Sequence, residues 1–174
     1  MTLQKPDFII EPLNPAIHRR DEFDCGVPAL NDFLRTRARK EMDAGTSACF
    51  VIVPKSDPGM IAGYYTLSAA TVVRTALPEA LTKKLPRYEE LPSTLLGRLA
   101  RDIRFKGQNI GELLMASMLR RSVAASQEVA SWAVVTDPKD EKARQFYASF
   151  GFQSLTTDRM FLPMKQAAGW INAR

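Results

Sequence analysis

The chain has 174 residues, 45% of them apolar, which suits one compact domain with a real core and excludes a largely disordered segment. Its 24 basic and 19 acidic residues leave a net charge of +5, a balance that favours an anionic partner such as a nucleotide or RNA but that solubility alone also accounts for. The opening MTLQKPDFII lacks the basic and then apolar pattern of a secretory signal, and no later stretch reaches the roughly 18 to 20 apolar residues of a membrane span, so the expectation is a cytoplasmic protein with no membrane partner.

Taken in chain order, DFII reads as a short strand. After CGVP, the segment ALNDFLRTRARKEM sets Leu30, Phe33 and Leu34 at helical spacing with Arg35, Arg37, Arg39 and Lys40 largely off that stripe, which predicts an amphipathic helix with a basic outer side. ACFVIV and IAGYYTLSAA are rich in β-branched and aromatic residues and are joined by PKSDPGM, the pattern of an antiparallel hairpin. The stretch RTALPEALTKKLPRYEELP, punctuated by Pro78, Pro86 and Pro92, reads as an irregular basic connection with at most a short helix. LLGRLARDIRF alternates as a strand with Leu99, Ile103 and Arg101 on one face. IGELLMASMLRRSVAA then places Ile110, Leu113, Leu114, Ser117 and Met118 at the helical period. WAVVT reads as a buried strand, DPKDEKARQFYASFG as a helix closed by Gly151, and RMFLPM as a final strand. Strands and helices alternate in the second half and hairpins fill the first, which predicts an α/β fold with a mixed sheet. Cys25 and Cys49 fit no metal-ligand spacing and His18 is the one histidine of the chain, so no metal site is expected and both thiols are expected to be buried.

Two segments carry chemistry. In KGQNIG the backbone passes from a strand to a helix, where unpaired amides and the positive end of the helix dipole welcome an anion, and Gly107 and Gly111 permit unusual angles or close approach of a phosphate. Alone, two glycines before a helix are more often an ordinary connection than a cofactor cradle. In ARQFYASFGF, Tyr147 sits among Phe146, Phe150 and Phe152, where a tyrosine is usually a packed aromatic. Together, two adjacent strand-helix units offering an anion cradle and a phenol would make an open α/β site at the strands' carboxyl ends.

These segments resemble the GNAT N-acetyltransferases, whose acetyl-CoA loop follows Gln/Arg-x-x-Gly-x-Gly/Ala; KGQNIG falls on it with Lys106 first, Asn109 in the first glycine place and Gly111 last. FDCGVPALNDFLRTRARK, IAGYYTLSAA, LPRYEELPSTLLGRLARD and ARQFYASFGF, in that order, are similar to the GNAT toxins of bacterial toxin-antitoxin modules, over about Leu13 to Lys165. The resemblance implies a single GNAT domain, residues 1–174, with a mixed central sheet flanked by helices. It implies that main-chain groups of Leu99, Ala100 and Arg101 line the pantetheine arm of acetyl-CoA, and that amides of Lys106, Gly107, Gln108, Asn109, Ile110, Gly111 and Glu112 wrap its diphosphate. Tyr147 takes the place of the general acid that protonates the departing thiolate, a role its high reference pKa suits. In the toxin branch the acceptor is the α-amino group of an aminoacyl-tRNA, whose acetylation stops translation. Homodimers and a neutralising ribbon-helix-helix antitoxin are also implied.

The residues add a separate point about the acceptor. No histidine or obvious carboxylate base accompanies Tyr147 in the sequence, and at pH 7 an α-amine is neutral roughly one time in seven against roughly one in 2,500 for lysine. An acid without an evident base therefore fits aminoacyl-tRNA better than a lysine side chain. Arg35, Arg37, Arg39, Lys83, Lys84, Arg87 and Arg98 could line an RNA groove or be solvated surface charges, with Arg87 and Arg98 the acceptor-side candidates. Asn109 departs from the family pattern; asparagine tolerates left-handed angles, but its side chain would crowd a diphosphate at a cost on the order of 1 kcal/mol. The alternatives are thus a GNAT enzyme for a small amine or a protein, or a catalytically weakened antitoxin-binding or co-repressor module.

Overall fold

The computed structural model describes residues 7–173, so the reading of the amino-terminal segment rests mostly on residues outside them. Its contacts form two compact units, one running to Leu67 and then from Arg98 to Met118, the other from Ser68 to Gly97 and from Leu119 onward.

In the first unit, β1 (Phe8–Pro12) lies antiparallel to β2 (Ala48–Pro54), with Phe8 opposite Pro54. β2 is antiparallel to the opening of β3 (Gly63–Val73), with Ala48 opposite Leu67 and Ile52 opposite Gly63, which is the predicted hairpin. Between β1 and β2 a 3-10 turn (Arg20–Glu22) is followed by a continuous helical stretch in three pieces: α1 (Pro28–Asp32), a π-helical turn (Phe33–Arg37) and α2 (Ala38–Ala44). Proline at its start and Gly45 at φ 73° after its end explain the limits of this helical stretch. The π turn carries an extra residue, and its Ala38 N–H donates to Phe33 O, so Ala38 follows Phe33 and Leu34 into the core while Arg35, Arg37, Arg39 and Lys40 stay exposed. That core contains Leu13, Phe23, Val51, Ile61, Tyr64 and Cys49.

In the second unit, β4 (Glu90–Arg101) pairs in parallel with β5 (Ala133–Thr136) over Ser93–Leu96. β7 (Met160–Pro163) is antiparallel to β5 and to the short β6 (Gln153–Ser154). The connection from Arg74 to Glu89 holds only one α turn, α3 (Glu79–Thr82), as its prolines predict. α4 (Ile110–Glu128) makes the crossover that a parallel pair requires, α5 (Glu141–Ala148) follows β5, and α6 (Met164–Asn172) follows β7. Val72, Leu77, Leu91, Val135 and Phe161 form the core here, with Trp132 stacked on Phe161 at 5.9 Å. The seven strands run in the order β1-β2-β3-β4-β5-β7-β6, a mixed α/β sheet.

Four local expectations are corrected. β4 starts at Glu90 rather than Leu95, because Leu91 and Ser93 face inward across Pro92. It ends at Arg101, where the Asp102 carboxylate accepts from Arg104 N and caps a 3-10 turn, so Ile103 leaves the strand and is 54% exposed. The buried stripe of α4 is Ile110, Leu114, Met115, Met118 and Leu119, which puts Leu113 on the outside. Met164 opens α6 instead of ending the last strand.

Candidate functional site

The predicted anion loop lies in the first unit. Strand β4 runs past its last β5 partner, Leu96, to Arg101, so the main-chain groups of Leu99, Ala100 and Arg101 lie beyond the stretch paired with β5. Asp102 N–H donates to Ala62 O at 2.9 Å, and the chain then makes the 3-10 turn Ile103–Phe105 before Lys106. Gly107 and Asn109 both adopt left-handed angles, φ 82° and 59°, and among the described residues Asn109 is the one non-glycine residue with positive φ. A Cβ on Gly107 would meet nothing within 4 Å, so the need there is conformational rather than steric. Asn109 O accepts the first helical bond, from Leu113 N at 3.0 Å, so Asn109 caps α4. The N–H groups of Ile110, Gly111 and Glu112 are therefore the first-turn donors that have no intrahelical acceptor. Two left-handed positions, a run of such amides and the exposed Lys106 fit a diphosphate. Gly63 serves the same end of the sheet: a Cβ there would stand 2.8 Å from Ala100 O and 3.0 Å from side-chain atoms of Ile110 and Leu114.

Tyr147 belongs to the second unit, as does Arg87. It is the buried residue of α5, a helix whose N-cap Asp140 accepts from Ala143 N at 2.8 Å. Phe146 and Phe152 hold its ring, each with centroids 5.6 Å away. Gly151 at φ 98° turns the chain out of the helix, as predicted. Burial pushes the Tyr147 phenol above its ordinary pKa, and the Thr136 hydroxyl acts in the opposite sense and more weakly. The phenol is therefore protonated at neutral pH, the state a general acid requires. Thr136, itself buried, donates from Oγ1 to Leu96 O at 2.9 Å.

The two arginines expected on the acceptor side differ in setting. Arg87 is exposed on the irregular connection, whereas Arg98, in the first unit, is half-buried with its guanidinium carbon 3.6 Å from the centre of the Phe33 ring. Arg37 also lies over that ring, at 5.4 Å, and pairs with Glu41 at 3.1 Å. His18 is a structural group: its Nδ1 accepts from Asn14 N at 2.9 Å, so Nε2 carries the proton and donates to Glu11 at 2.8 Å. Cys49 is buried and its thiol is pushed up to about 12 by that burial, while Cys25 is only half-buried. Asp102 and Thr136 escaped the sequence reading. An Asp two residues before an Arg at a strand end is a turn-capping pattern and gives a signal for Asp102, but nothing local marks Thr136. Among the described residues no three His, Cys, Asp or Glu side chains are grouped to hold a metal ion, and no helix is long and apolar enough to cross a membrane.

No family model matches the chain. It is 32% identical over 151 residues to the tRNA-acetylating toxin of Mycobacterium tuberculosis strain ATCC 25618 / H37Rv, covering 86% of this chain and 88% of the relative. It is 27% identical over 165 residues to the probable toxin TacT of Sinorhizobium fredii strain NBRC 101917 / NGR234, covering 90% and 91%. Among solved structures, a tyrosine-to-phenylalanine mutant of KacT superposes with a TM-score of 0.87 at 32% identity, covering 94% of this chain and 99% of that one. AtaT complexed with acetyl-methionyl-tRNAfMet gives 0.85 at 32% identity, covering 93% and 98%. A tyrosine-to-phenylalanine mutant of AtaT bound to acetyl-CoA and to the C-terminus of the antitoxin AtaR gives 0.78 at 28% identity, covering 93% and 96%. With its mixed α/β sheet and a relative of this identity matched over most of both chains, the protein belongs to the family of tRNA-acetylating GNAT toxins.

Proposed function

We propose that this chain is a single GNAT domain that acetylates the α-amino group of an aminoacyl-tRNA and so blocks translation. The kinship with a tRNA-acetylating toxin across most of both chains carries the reading. Acetyl-CoA supplies the acetyl group as a thioester already activated for transfer. The amides of Lys106 to Glu112 hold the diphosphate, and the main chain of Leu99, Ala100 and Arg101 lies along the pantetheine and hydrogen-bonds the thioester carbonyl. Tyr147 keeps its proton at neutral pH and delivers it from the phenol oxygen to the sulfur that leaves. No residue need act as a strong base, because an α-amine gives up its proton far more readily than lysine. The one histidine is committed to Asn14 and Glu11, which supports that economy. Arg87 and Arg98 face the RNA in this reading and contribute phosphate contacts that position it.

Asn109 takes the left-handed angle that the turn needs, which supports a working loop over a binding module without catalysis. The same reading gives the protein a homodimeric state, a ribbon-helix-helix antitoxin as its neutralising partner, in line with the AtaR complex of AtaT, and a cytoplasmic location. The test is to incubate the purified protein with acetyl-CoA and a mixture of charged tRNAs, hydrolyse the ester bond, and identify the released amino acids by mass spectrometry. N-acetylated amino acids are expected; acetyl-lysine on added protein with unmodified aminoacyl-tRNA would move the function to protein acetylation.

A further inference from the structure

Asp102 is the one buried carboxylate among the described residues, and its bonds reach beyond the 3-10 turn that it caps. Its side chain is 0% exposed, and it accepts four hydrogen bonds: Oδ1 from Arg104 N at 2.8 Å and Arg104 Nε at 2.9 Å, Oδ2 from Arg104 Nη2 at 2.9 Å and Asp24 N at 3.0 Å. Arg104 Nη2 also donates to Glu22 O at 3.2 Å, and Ile103 N donates back to Asp24 O at 2.9 Å. Asp24 in turn accepts at Oδ1 from Gly26 N and from Asn31 Nδ2. One carboxylate, five residues before the first glycine of the loop, thus ties the end of β4 to the segment Glu22–Gly26.

Burying the Asp102 carboxylate costs desolvation that its Coulomb attraction to the half-exposed Arg104 guanidinium only partly offsets, so the pair is a modest stabiliser. What such a pair provides is a fixed geometry with directed bonds. The loop needs that at this end: from Lys106 to Asn109 the backbone crosses two left-handed residues, and nothing packs where a Gly107 side chain would be. Its far end runs into α4, and at its near end the Asp102 carboxylate binds the turn and Asp24 N. The same bonds occupy Arg104 on both Nε and Nη2 and turn those groups toward Asp102, so Lys106 is the cation of the loop itself.

We infer that Asp102 is a positioning residue for the diphosphate half of acetyl-CoA, acting through the turn Ile103–Phe105 on the amides of Lys106 to Glu112; the inference rests on the role proposed for those amides. It is tested by calorimetric titration of the full chain with acetyl-CoA and with S-acetylpantetheine, which lacks the diphosphate and adenosine. Asp102→Asn keeps the shape but replaces one acceptor oxygen by an NH2 donor facing Arg104 or Asp24 N–H, and removes the negative charge. It is expected to weaken acetyl-CoA about tenfold and S-acetylpantetheine by less than about twofold, as misplacement of a pre-organised cradle would. Equal losses for the two ligands, or no loss for either, would overturn the inference. If Asp102→Asn does not fold, Arg104→Gln removes the fork from the turn's exposed side, and a loss confined to acetyl-CoA of about threefold is expected. The reading of the loop is tested separately by the unmodified protein: if it binds the two ligands equally, the loop does not hold the diphosphate at all. If it discriminates and neither variant narrows the ratio, the loop stands and Asp102 has no part in it.

Discussion

Replacing Asn109 by glycine probes the departure from the family's loop pattern. The residue sits at φ 59°, where an L side chain costs roughly 1 to 2 kcal/mol and asparagine lies at the low end of that range. Glycine removes about 1 kcal/mol of backbone strain but loses about 0.4 to 1 kcal/mol by enlarging the freedom of the unfolded chain. The two nearly cancel, so the melting temperature should move by no more than a degree or two for a change of roughly 0.5 kcal/mol. Ligand binding has no such cancellation. If the Asn109 side chain crowds the diphosphate at about 1 kcal/mol, its removal tightens acetyl-CoA about fivefold, since about 1.4 kcal/mol is tenfold. Calorimetric titration of both proteins with acetyl-CoA reads this directly. An unchanged or weaker affinity in Asn109→Gly would refute the crowding and make the asparagine a tolerated turn residue.

Gly63→Ala sets a methyl 2.8 Å from Ala100 O and is expected to cost about 1 to 3 kcal/mol, seen as a lower urea midpoint; an unchanged midpoint would contradict the close packing. The Cys49 thiol, held at about 12 in the folded state, should resist a thiol reagent at pH 8 until denaturant is added, and rapid labelling of Cys49 in the native protein would count against its burial. Asp102 has its carboxyl held below the usual range by the Arg104 guanidinium and the N–H groups of Asp24 and Arg104, despite burial, which acts to raise it. Its contribution to stability is therefore complete above the unfolded value near 4 and is lost as pH falls through the folded one. The stability gap between the protein and Asp102→Asn should stay level from about pH 7 to pH 5 and close in stronger acid, and a gap that widens there would contradict the assigned direction.

The hairpin, the mixed sheet and the helix after KGQNIG were legible because their signals are local: β-branched runs around a Pro/Gly turn, and a helical period opened by glycine. Gly151 announced the end of α5 for the same reason. The start of β4 was hidden, since LPST shows neither clean alternation nor β-branched weight, and its inward Ser93 is polar. Leu113 and Leu114 are indistinguishable by period alone; packing puts Leu114 inside and Leu113 out. The π turn was invisible because it depends on which of Arg37 and Ala38 must be buried after Phe33. Among the candidate residues, the loop and Tyr147 are marked by motif, whereas Asp102 and Thr136 bond to partners distant in sequence, Asp24 and Leu96, that no spacing rule reveals.

The central claim is that this chain acetylates the amino group of charged tRNA with Tyr147 as acid. Labelled acetyl-CoA, aminoacyl-tRNA and purified protein test it in a single-turnover assay run side by side with Tyr147→Phe, a variant that keeps the ring contacts to Phe146 and Phe152. The account predicts label on the aminoacyl group and a transfer rate reduced on the order of 10² to 10⁴-fold in the variant, with acetyl-CoA still bound. Label transfer at the same rate in Tyr147→Phe, or no label on the aminoacyl group of any charged tRNA, would contradict it.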